Sequence, residues 1–413
     1  MHDSLPLPSG FVAHAGATGV WSASHPDAEP TDAAPLGRAE RAGRAGPRHD
    51  LAILRSLGPC TSAGVFTRSR FSGPSVELSR PRAAAGTARA IVVVAGNANV
   101  ATGDAGRRDA AELSDLAAAA AGVPPNEQLV ASTGVIGRPY PMPLLRAHLE
   151  ALRPDAEQHW QADAVDVARA MMTTDTVAKV AGRQVGAARV VGMAKGVGMI
   201  EPDMATMLAW VLTDAQVAPD VLDRVWRRAV DDTFNCLSVD TDTSTSDTAV
   251  ILANGAAGAV AEADLAVAVR EVCLDLTLQL ARDGEGATKL ITVTVRAARD
   301  RDQARRVAKS VVNSPLVKTA VHGADPNWGR VAMAVGKCSD DTDIDQQRVV
   351  IRFGDLEAYP AVPGPDGLAA LAEVMAADHV DIEVELGTGT AEATVYGCDL
   401  TDGYIRINAD YTT

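Results

Sequence analysis

The sequence predicts an α+β fold, because strand and helix patterns intermix without a regular strand–helix–strand rhythm. Two buried strands are indicated by short apolar runs, IVVVAG at 91–96 and the run from Met207 to Leu212. From about residue 290 the pattern becomes rich in strands, with two helices. This change predicts a separate C-terminal unit from about residue 290 to residue 413.

Composition narrows the class of protein. A chain of 413 residues is long enough for two or three structural units, and its net charge of −15 argues against nucleic acid or an anionic membrane as the main partner. Its five scattered cysteines include no CxxC pair, so neither a zinc site nor a disulfide framework is indicated. No signal peptide or membrane-spanning run is recognisable. We therefore expect a cytoplasmic protein with reduced cysteines.

The N-terminal part contains a segment of unusual composition. Residues 15–50 are rich in Ala, Gly, Pro and charged residues, which predicts a flexible insert with too little apolar surface to form a core. Its arginines favour a solvated loop over an anion-binding arm; they are Arg38, Arg41, Arg44 and Arg48. The pattern becomes globular from Leu51.

The following elements alternate in type. Helices are predicted over 108–121, 143–152, 162–171, 220–234 and 261–281, and further strands over 129–133 and 248–252. In the C-terminal part, strands are predicted at LITVTV (290–295), RVAMAV (330–335), RVVIRF (348–353), DIEVEL (381–386), TAEATVYG (390–397) and YIRIN (404–408).

The chain is organised around residues 195–214, KGVGMIEPDMATMLAWVLTD. Lys195 stands among glycines, which allow the backbone to turn or to approach a ligand closely. Thr206 directly precedes the buried apolar run, so its hydroxyl lies at the mouth of a strand. Taken alone, the pattern favours a strand–loop–strand connection, although a nucleophile at Thr206 is compatible with it.

Several motifs occur in one order over nearly the whole chain. They are STGVIGRPYPM (132–142), MMTTDT (171–176), KGVGMIEPDMATML (195–208), DTFNCLSVDTDTSTSDTAV (232–250), DGEGATKL (283–290), NSPLVKTAVHGADPNWGR (313–330) and INADYTT (407–413). Together they resemble the ornithine acetyltransferase family, also called bifunctional glutamate N-acetyltransferases of arginine biosynthesis. The resemblance implies a four-layer α-β-β-α core with a smaller C-terminal α/β unit. It also implies cleavage between Ala205 and Thr206, giving an α chain of residues 1–205 and a β chain of residues 206–413.

The resemblance assigns roles that spacing alone does not. Thr206 becomes the catalytic nucleophile, and Thr133 with Gly134 becomes the oxyanion hole, where spacing alone indicates a simple turn. Substrate-binding roles fall on Thr173, Lys195, Glu285, Asn408 and Thr413. By pattern alone, Thr173 is a helix-capping residue, Lys195 a surface lysine and Glu285 an acid in a loop without the G-K-[ST] of a nucleotide-binding loop.

The expected reaction is acetyl transfer from N2-acetyl-L-ornithine to L-glutamate by a ping-pong mechanism through acetyl-Thr206. No cofactor or metal is expected, since an acyl-threonine stores the acetyl group. Acetyl-CoA is a possible further donor, and two α with two β chains are the implied assembly. The alternatives are a self-processing N-terminal-threonine aminopeptidase or amidase, and a processed but inactive binding protein. The run DTDTSTSD (240–247) departs from the family's usual pattern toward paralogues of clavam-type antibiotic gene clusters, which leaves the pathway open.

Overall fold

A computed structural model describes residues 4–25, 48–201, 207–361 and 363–410 of the chain. The described residues form two compact units. The first contains the residues up to 235 together with 243–276, and the second contains 236–242 together with the residues from 277 onward. None of the helices in these described ranges is long and apolar enough to cross a bilayer.

The first unit contains two β-sheets. Its strands are β1 (Phe11–Gly16), β2 (Leu51–Ser56), β3 (Thr61–Phe66), β4 (Ala90–Asn97), β5 (Gln128–Val135), β6 (Lys179–Val185), β7 (Ala188–Lys195), β8 (Leu208–Gln216) and β9 (Thr248–Ala259). One sheet has the order β1-β2-β4-β5 and the other the order β3-β9-β8-β7-β6. In both sheets parallel and antiparallel pairs occur together, since β4 with β5 and β8 with β9 are parallel while the other pairs are antiparallel.

Helices cover these sheets. They are α1 (Val20–Ser24), α2 (Pro74–Ala84), α3 (Gly103–Ala121), α4 (Met142–Ala151), α5 (Ala164–Met171), α6 (Pro219–Asp232) and α7 (Glu262–Arg282). Alternate residues of β2 point to opposite faces: Ile53 packs in one core with α3 and α4, while Leu54 packs in another with α5 and strands of the second sheet. On the far side of the second sheet, Trp226 of α6 donates to the Ala249 carbonyl and Gly192 of β7 lies against α7. The predicted four-layer α-β-β-α sandwich is therefore confirmed.

The second unit is a five-stranded sheet with its own helices. Its strands are β10 (Leu290–Ala298), β11 (Val350–Phe353), β12 (Leu356–Tyr359), β13 (His379–Glu385) and β14 (Ala391–Cys398), in the order β12-β11-β13-β10-β14. Its helices are α8 (Arg301–Val312), α9 (Pro315–His322), α10 (Trp328–Gly336), α11 (Pro365–Met375) and α12 (Asp402–Asp410). Valines and isoleucines at alternate positions of β10 and β13 pack against α8 and form one apolar core.

Two strand predictions in the second unit are wrong. RVAMAV lies in helix α10, which begins after Asn327, whose side chain accepts a hydrogen bond from the Arg330 N–H. Its buried residues Val331, Ala334 and Val335 follow the spacing of a helix, although alternation of the same letters also fits a strand. YIRIN lies in helix α12, all of whose residues are at least partly exposed, so no buried strand face was needed there.

The segment predicted as a flexible insert, residues 15–50, is partly regular. Strand β1 runs to Gly16, and α1 buries Val20 and Trp21. Residues 26–47, including Arg38, Arg41 and Arg44, lie outside the described residues, while Arg48 is described. The prediction of a strand after Thr206 is confirmed, because β8 begins at Leu208 and is buried from there to Ala215.

Candidate active site

Lys195 ends strand β7, and its side chain is only 7% exposed. In the sheet it is paired with Leu208 of β8, two residues after Thr206 in the chain. The next residue, Gly196, has φ of 141°, a conformation that favours glycine. The strand therefore delivers a buried lysine next to the start of β8, and the chain then turns away.

Two threonines from distant segments receive hydrogen bonds from this lysine. Lys195 Nζ donates to Thr173 Oγ1 at 2.7 Å and to Thr133 Oγ1 at 3.1 Å. Thr173 is buried, whereas Thr133 and Gly134 are partly exposed. Thr133, Thr173 and Lys195, which are predicted as parts of one site and are far apart in the sequence, therefore lie together in the structure.

The carboxylate of Asp175 ties two of these segments together. It accepts hydrogen bonds from the backbone N–H of Gly196 at 2.7 Å and of Thr173 at 3.0 Å, and it lies 2.8 Å from Lys179 Nζ. Burial alone would raise the pKa of the Asp175 carboxyl, but Lys179, Lys195 and the hydrogen bonds hold that pKa well below its ordinary value. Asp175 is therefore a buried anion that fixes the backbone on either side of the site.

Gly134 follows Thr133 near the end of β5, where the pairing with β4 is irregular. Its φ is 123°, and a Cβ atom placed on it would lie 2.3 Å from the carbonyl carbon of Gly96. A side chain at this position would collide with backbone that cannot swing away. The close approach of two backbones, together with partial exposure of Thr133 and Gly134, suits a position where a backbone N–H meets a ligand.

Arg48 holds the turn that contains Met172 and Thr173. Its Nη2 donates to the carbonyls of Met172 at 2.7 Å and Thr173 at 3.0 Å. Its guanidinium stacks on Trp21, with Cζ 3.6 Å from the ring centroid. Arg48 therefore helps to hold Thr173 in place.

In the second unit, Glu285 and Asn408 lie together. Asn408 Nδ2 donates to Glu285 Oε2 at 2.8 Å, and Glu285 is 9% exposed. The loop carrying Glu285 is held by Thr401, whose hydroxyl donates to the Gly286 carbonyl at 2.6 Å. At Gly286 a Cβ atom would lie 2.4 Å from the Tyr404 nitrogen, so glycine is required for the loop to meet helix α12. Glu285 is consequently held in a fixed position.

The remaining predicted site residues are not described. Ala205 and Thr206, at the predicted cleavage point, and Thr413, a predicted substrate-binding residue, lie outside the described residues. Of the residues with predicted roles, the structure brings together Thr133, Thr173 and Lys195 in the first unit, next to Gly134, and Glu285 with Asn408 in the second.

Three supporting residues were not found from the sequence. Asp175 stands in the quoted T-T-D motif, and Lys179 follows it by four residues in an apolar run, a spacing that could have suggested an ion pair. The sequence around Arg48 contains further basic residues, and no pattern there indicated a structural role. Asp175 and Lys179 are buried and Arg48 is partly buried, and these environments depend on contacts with distant segments, which local patterns do not report.

The described ranges contain no group of three or more His, Cys, Asp or Glu side chains able to hold a metal ion. His322 Nδ1 lies 3.0 Å from Asp399 Oδ2, and the Thr288 hydroxyl donates to the same carboxylate oxygen at 2.5 Å. Because the Thr288 proton is directed to Asp399, this group does not present a hydroxyl activated by histidine.

The cluster in the first unit combines an ammonium group, two hydroxyls and a glycine backbone with positive φ. Such a set can bind a carboxylate and can stabilise a developing oxyanion. A nucleophile two residues before Leu208 would stand at the same end of the sheet.

Comparisons with known proteins agree with one another. The model of the ArgJ family matches residues 38–413. The chain is similar to "Arginine biosynthesis bifunctional protein ArgJ 2" of Nostoc sp. (strain PCC 7120), with 54% identity over 364 residues that cover 88% of this chain and 93% of that protein. It is also similar to "Glutamate N-acetyltransferase Oat2" of Streptomyces clavuligerus, with 52% identity over 420 residues and 100% of both chains covered. A crystal structure of arginine biosynthesis bifunctional protein argJ from Bacillus halodurans is 40% identical, with a TM-score of 0.47, and covers 50% of this chain and 100% of that chain.

Proposed function

The chain belongs to the ArgJ family, and we propose that it transfers the acetyl group of N2-acetyl-L-ornithine to L-glutamate through Thr206. The products are L-ornithine and N-acetyl-L-glutamate. A relative that is 52% identical over the full length of both chains is named a glutamate N-acetyltransferase, which supports this acceptor.

One observation carries the proposal. Lys195 joins Thr133 and Thr173 in a buried polar cluster, and Lys195 is paired in the sheet with Leu208. The predicted oxyanion-hole threonine, two predicted substrate-binding residues and the strand that follows the predicted nucleophile are therefore neighbours. Burial of an ammonium group is costly, so its hydrogen bonds to two threonines at the end of a sheet mark a specific arrangement.

In the first half-reaction the Thr206 hydroxyl attacks the acetyl carbonyl of acetylornithine. The free α-amine of Thr206 takes up the hydroxyl proton, since its ordinary pKa of about 7.7–8.0 suits a general base near neutral pH. Negative charge then develops on the carbonyl oxygen, where the Thr133 hydroxyl and the Gly134 N–H would donate hydrogen bonds. Collapse of the intermediate expels the ornithine amine with the transferred proton and leaves acetyl-Thr206.

The second half-reaction reverses this sequence with a different amine. The α-amino group of glutamate attacks the ester carbonyl of acetyl-Thr206, and the same oxyanion hole stabilises the charge. The α-amine of Thr206 takes a proton from the attacking nitrogen and returns it to the Thr206 oxygen as that oxygen leaves, which gives N-acetylglutamate and the free enzyme. Because one nucleophile serves both halves, the first product leaves before glutamate reacts.

The charged ends of the substrates require charged partners. We assign the substrate carboxylate to Lys195 and Thr173, because a fixed ammonium group attracts a carboxylate strongly in a buried setting. Glu285, with Asn408 beside it, is assigned to the ornithine amino group, and Thr413 to a further substrate contact. No cofactor enters either step, while acetyl-CoA remains a candidate second donor.

The proposed function also has consequences for the assembly, the cellular location and the pathway of the protein. We infer two α and two β chains produced by cleavage of one precursor. We infer a cytoplasmic location, since the relatives are named for arginine biosynthesis and the five cysteines are free thiols. The relative of Streptomyces clavuligerus that matches the whole chain is named for its acetyltransferase activity alone, so the pathway is left open.

An acceptor-dependence assay tests the proposal. Purified protein is incubated with N2-acetyl-L-ornithine, and ornithine release is measured with and without glutamate. We expect ornithine and N-acetylglutamate in equal amounts, and parallel lines in double-reciprocal plots as glutamate is varied. Release of ornithine and acetate at a rate independent of glutamate would instead establish a hydrolase, and no release at all would leave a binding protein.

A further inference from the structure

Trp21 of helix α1 touches the supports of two parts of the candidate active site, and its side chain is only 5% exposed. One neighbour is Arg48, whose Cζ lies 3.6 Å from the centroid of the Trp21 ring and whose Nη2 donates to the Thr173 carbonyl at 3.0 Å. The other neighbour is Gly96 of β4, which is paired in the sheet with Gly134. The same ring is therefore next to the groups that hold a predicted substrate-binding residue and the predicted oxyanion hole.

The contact of Trp21 with Gly96 is close. A Cβ atom placed on Gly96 would lie 2.8 Å from Cε3 and 3.1 Å from Cα of Trp21. A Cβ atom placed on Gly134 would in turn lie 2.3 Å from the carbonyl carbon of Gly96. Because packed interiors leave little free space, a change in the position or volume of the Trp21 ring is passed through Gly96 to the backbone of Gly134.

Hydrogen bonds attach the end of α1 to the same region. Asn97 Nδ2 donates to Ser24 Oγ at 3.2 Å, and Asn97 is paired in the sheet with Thr133. Arg138, in the loop that follows β5, donates to the Ser24 carbonyl. Helix α1 is thus fixed both to β4 and to the chain beyond the predicted oxyanion hole.

The stack of Arg48 on Trp21 is held by neighbouring groups. Asp50, two residues after Arg48, accepts hydrogen bonds from the backbone N–H of Trp21 at 3.0 Å and of Thr18 at 2.7 Å. His25 also stacks on Trp21, with ring centroids 4.2 Å apart and planes 16° apart. A guanidinium over an indole face is attracted by the charge distribution of the ring, and more strongly away from water. Trp21 therefore fixes the guanidinium whose hydrogen bonds hold the turn at Thr173.

We propose that Trp21 is a positioning residue for both parts of the candidate active site. Through Arg48 it fixes the turn at Thr173. Through Gly96 it fixes the backbone of Gly134. The consequence for catalysis rests on the proposed function, in which the turn binds the substrate carboxylate and Gly134 faces the oxyanion. Helix α1 lies before residue 38, where the match to the ArgJ family model begins.

A kinetic test compares variants of Arg48 and Trp21 in the purified full chain. Arg48→Met keeps an unbranched side chain against the ring but removes the hydrogen bonds to the turn, so KM for acetylornithine should rise about fivefold with little change in kcat. Trp21→Leu also leaves space beside Gly96, so KM should rise by a similar factor and kcat should fall about tenfold or more. Trp21→Phe keeps an aromatic face, and both constants should stay within about twofold of those of the unaltered chain.

A second stack of an arginine on a tryptophan in the first unit provides the matched control. Arg55 Cζ lies 4.0 Å from the centroid of the Trp160 ring, and Arg55 Nη1 donates to the carbonyl of Ala121 at the end of α3. Trp160→Leu and Arg55→Met make the same chemical changes at a stack that holds α3. They should lower the melting temperature but leave KM and kcat unchanged, measured well below that temperature.

Hydrogen exchange, measured by mass spectrometry, tests the same link without any reaction. Trp21→Leu should speed exchange in peptides covering residues 132–137 and 171–176, Arg48→Met only in the second peptide, and Trp160→Leu in neither. If Trp21→Leu does not fold, Trp21→Met, which fills more of the space, takes its place with the same expected effects. Exchange and kinetic constants altered no more by the Trp21 variant than by Trp160→Leu would overturn the proposal. If the unaltered chain transfers no acetyl group, the proposed function fails, while the exchange comparison still decides whether Trp21 holds the two segments.

Discussion

Lys179 Nζ lies 2.8 Å from a carboxylate oxygen of Asp175, and both side chains are fully buried in the first unit. The same carboxylate holds the backbone N–H groups of Thr173 and Gly196. The ion pair therefore stabilises the carboxylate that fixes both the turn at Thr173 and the end of strand β7 at Lys195. It acts on the candidate site through these two segments.

Replacement of Lys179 should destabilise the protein strongly. Lys179→Met keeps most of the side-chain volume but leaves the Asp175 carboxylate buried with one partner fewer. Loss of one member of a buried pair typically costs about 3–5 kcal/mol. We expect the urea concentration at half-unfolding to fall accordingly, measured by circular dichroism.

Two controls separate this effect from the change of residue type. Lys337→Met, at an exposed position of the second unit, should shift the free energy of unfolding by no more than about 0.5 kcal/mol. The double variant Lys179→Met/Asp175→Asn removes both charges and should recover part of the loss. A Lys179→Met protein as stable as the unaltered chain would show that Asp175 does not depend on the pair.

Gly134 should tolerate alanine far less than Gly137 does. Both have positive φ, 123° and 83°, but a Cβ on Gly134 would lie 2.3 Å from Gly96, whereas nothing lies within 4 Å at Gly137. Gly137→Ala should cost about 1 kcal/mol from backbone strain alone. Gly134→Ala should cost clearly more and should distort the predicted oxyanion hole. Thermal melting and acetyl-transfer rates of the two variants measure this, and equal effects would exclude the close approach as the cause.

Some helices and strands of this protein can be predicted from local sequence, and others cannot. The strand from Leu208 was predictable because every residue from there to Ala215 is buried, so its pattern is a continuous apolar run. RVAMAV and YIRIN were mistaken for strands because five or six residues fit both periods. In α12, the pair of Asp402 with Arg406 at 2.7 Å, four residues apart, is the helical signal that alternation of isoleucines concealed.

Thr133→Ala should lower kcat by roughly 10²–10³ with a modest change in KM. Removal of one donor from an oxyanion hole typically has that effect, because the contact strengthens only in the transition state. Thr133→Ser keeps the hydroxyl and should retain most of the rate. Initial rates at varied acetylornithine separate the two constants. A change confined to KM would make Thr133 a residue that positions substrate, acting with Lys195.

Glu285→Gln should raise KM for acetylornithine. The substitution keeps the shape of the side chain beside Asn408 but removes the charge assigned to the substrate amino group. Loss of one partner from a desolvated charged contact typically costs about 2–5 kcal/mol. Asp283→Asn, in the same loop, is the matched control and should leave KM near that of the unaltered enzyme. Unchanged kinetics in both Glu285→Gln and Lys195→Ala would remove these two residues from substrate binding.

Only part of the candidate site was predictable from the sequence. Resemblance pointed to Thr133, Thr173 and Lys195, and the structure brings these three together. It did not point to Asp175 or Arg48 as supports, since each contacts backbone groups far away in the sequence. Nor did it point to Lys179, which acts through the Asp175 carboxylate. Burial of a charge depends on the packing of several segments at once, which short patterns do not encode.

Self-cleavage between Ala205 and Thr206 is the prediction on which the mechanism depends. In the intact chain the Thr206 nitrogen is an amide and cannot act as a base. The hydroxyl must therefore attack the Ala205 carbonyl, shift the acyl chain from nitrogen to oxygen, and allow water to release the ester. Leu208 starts the buried strand β8, so the new terminus would be held close to Lys195.

Purified protein should consequently show two fragments of nearly equal mass on a denaturing gel. N-terminal sequencing should show that the C-terminal fragment begins Thr-Met-Leu-Ala-Trp. Mass spectrometry should show that the other fragment ends at Ala205. Thr206→Ala should give one uncut, inactive chain, because the attacking oxygen is missing, while Thr206→Ser retains a hydroxyl and should still be cut. The α-amine that serves as general base exists only after cleavage. An uncut chain that transfers acetyl groups at the normal rate would therefore require a different base, and the proposed mechanism would have to be abandoned.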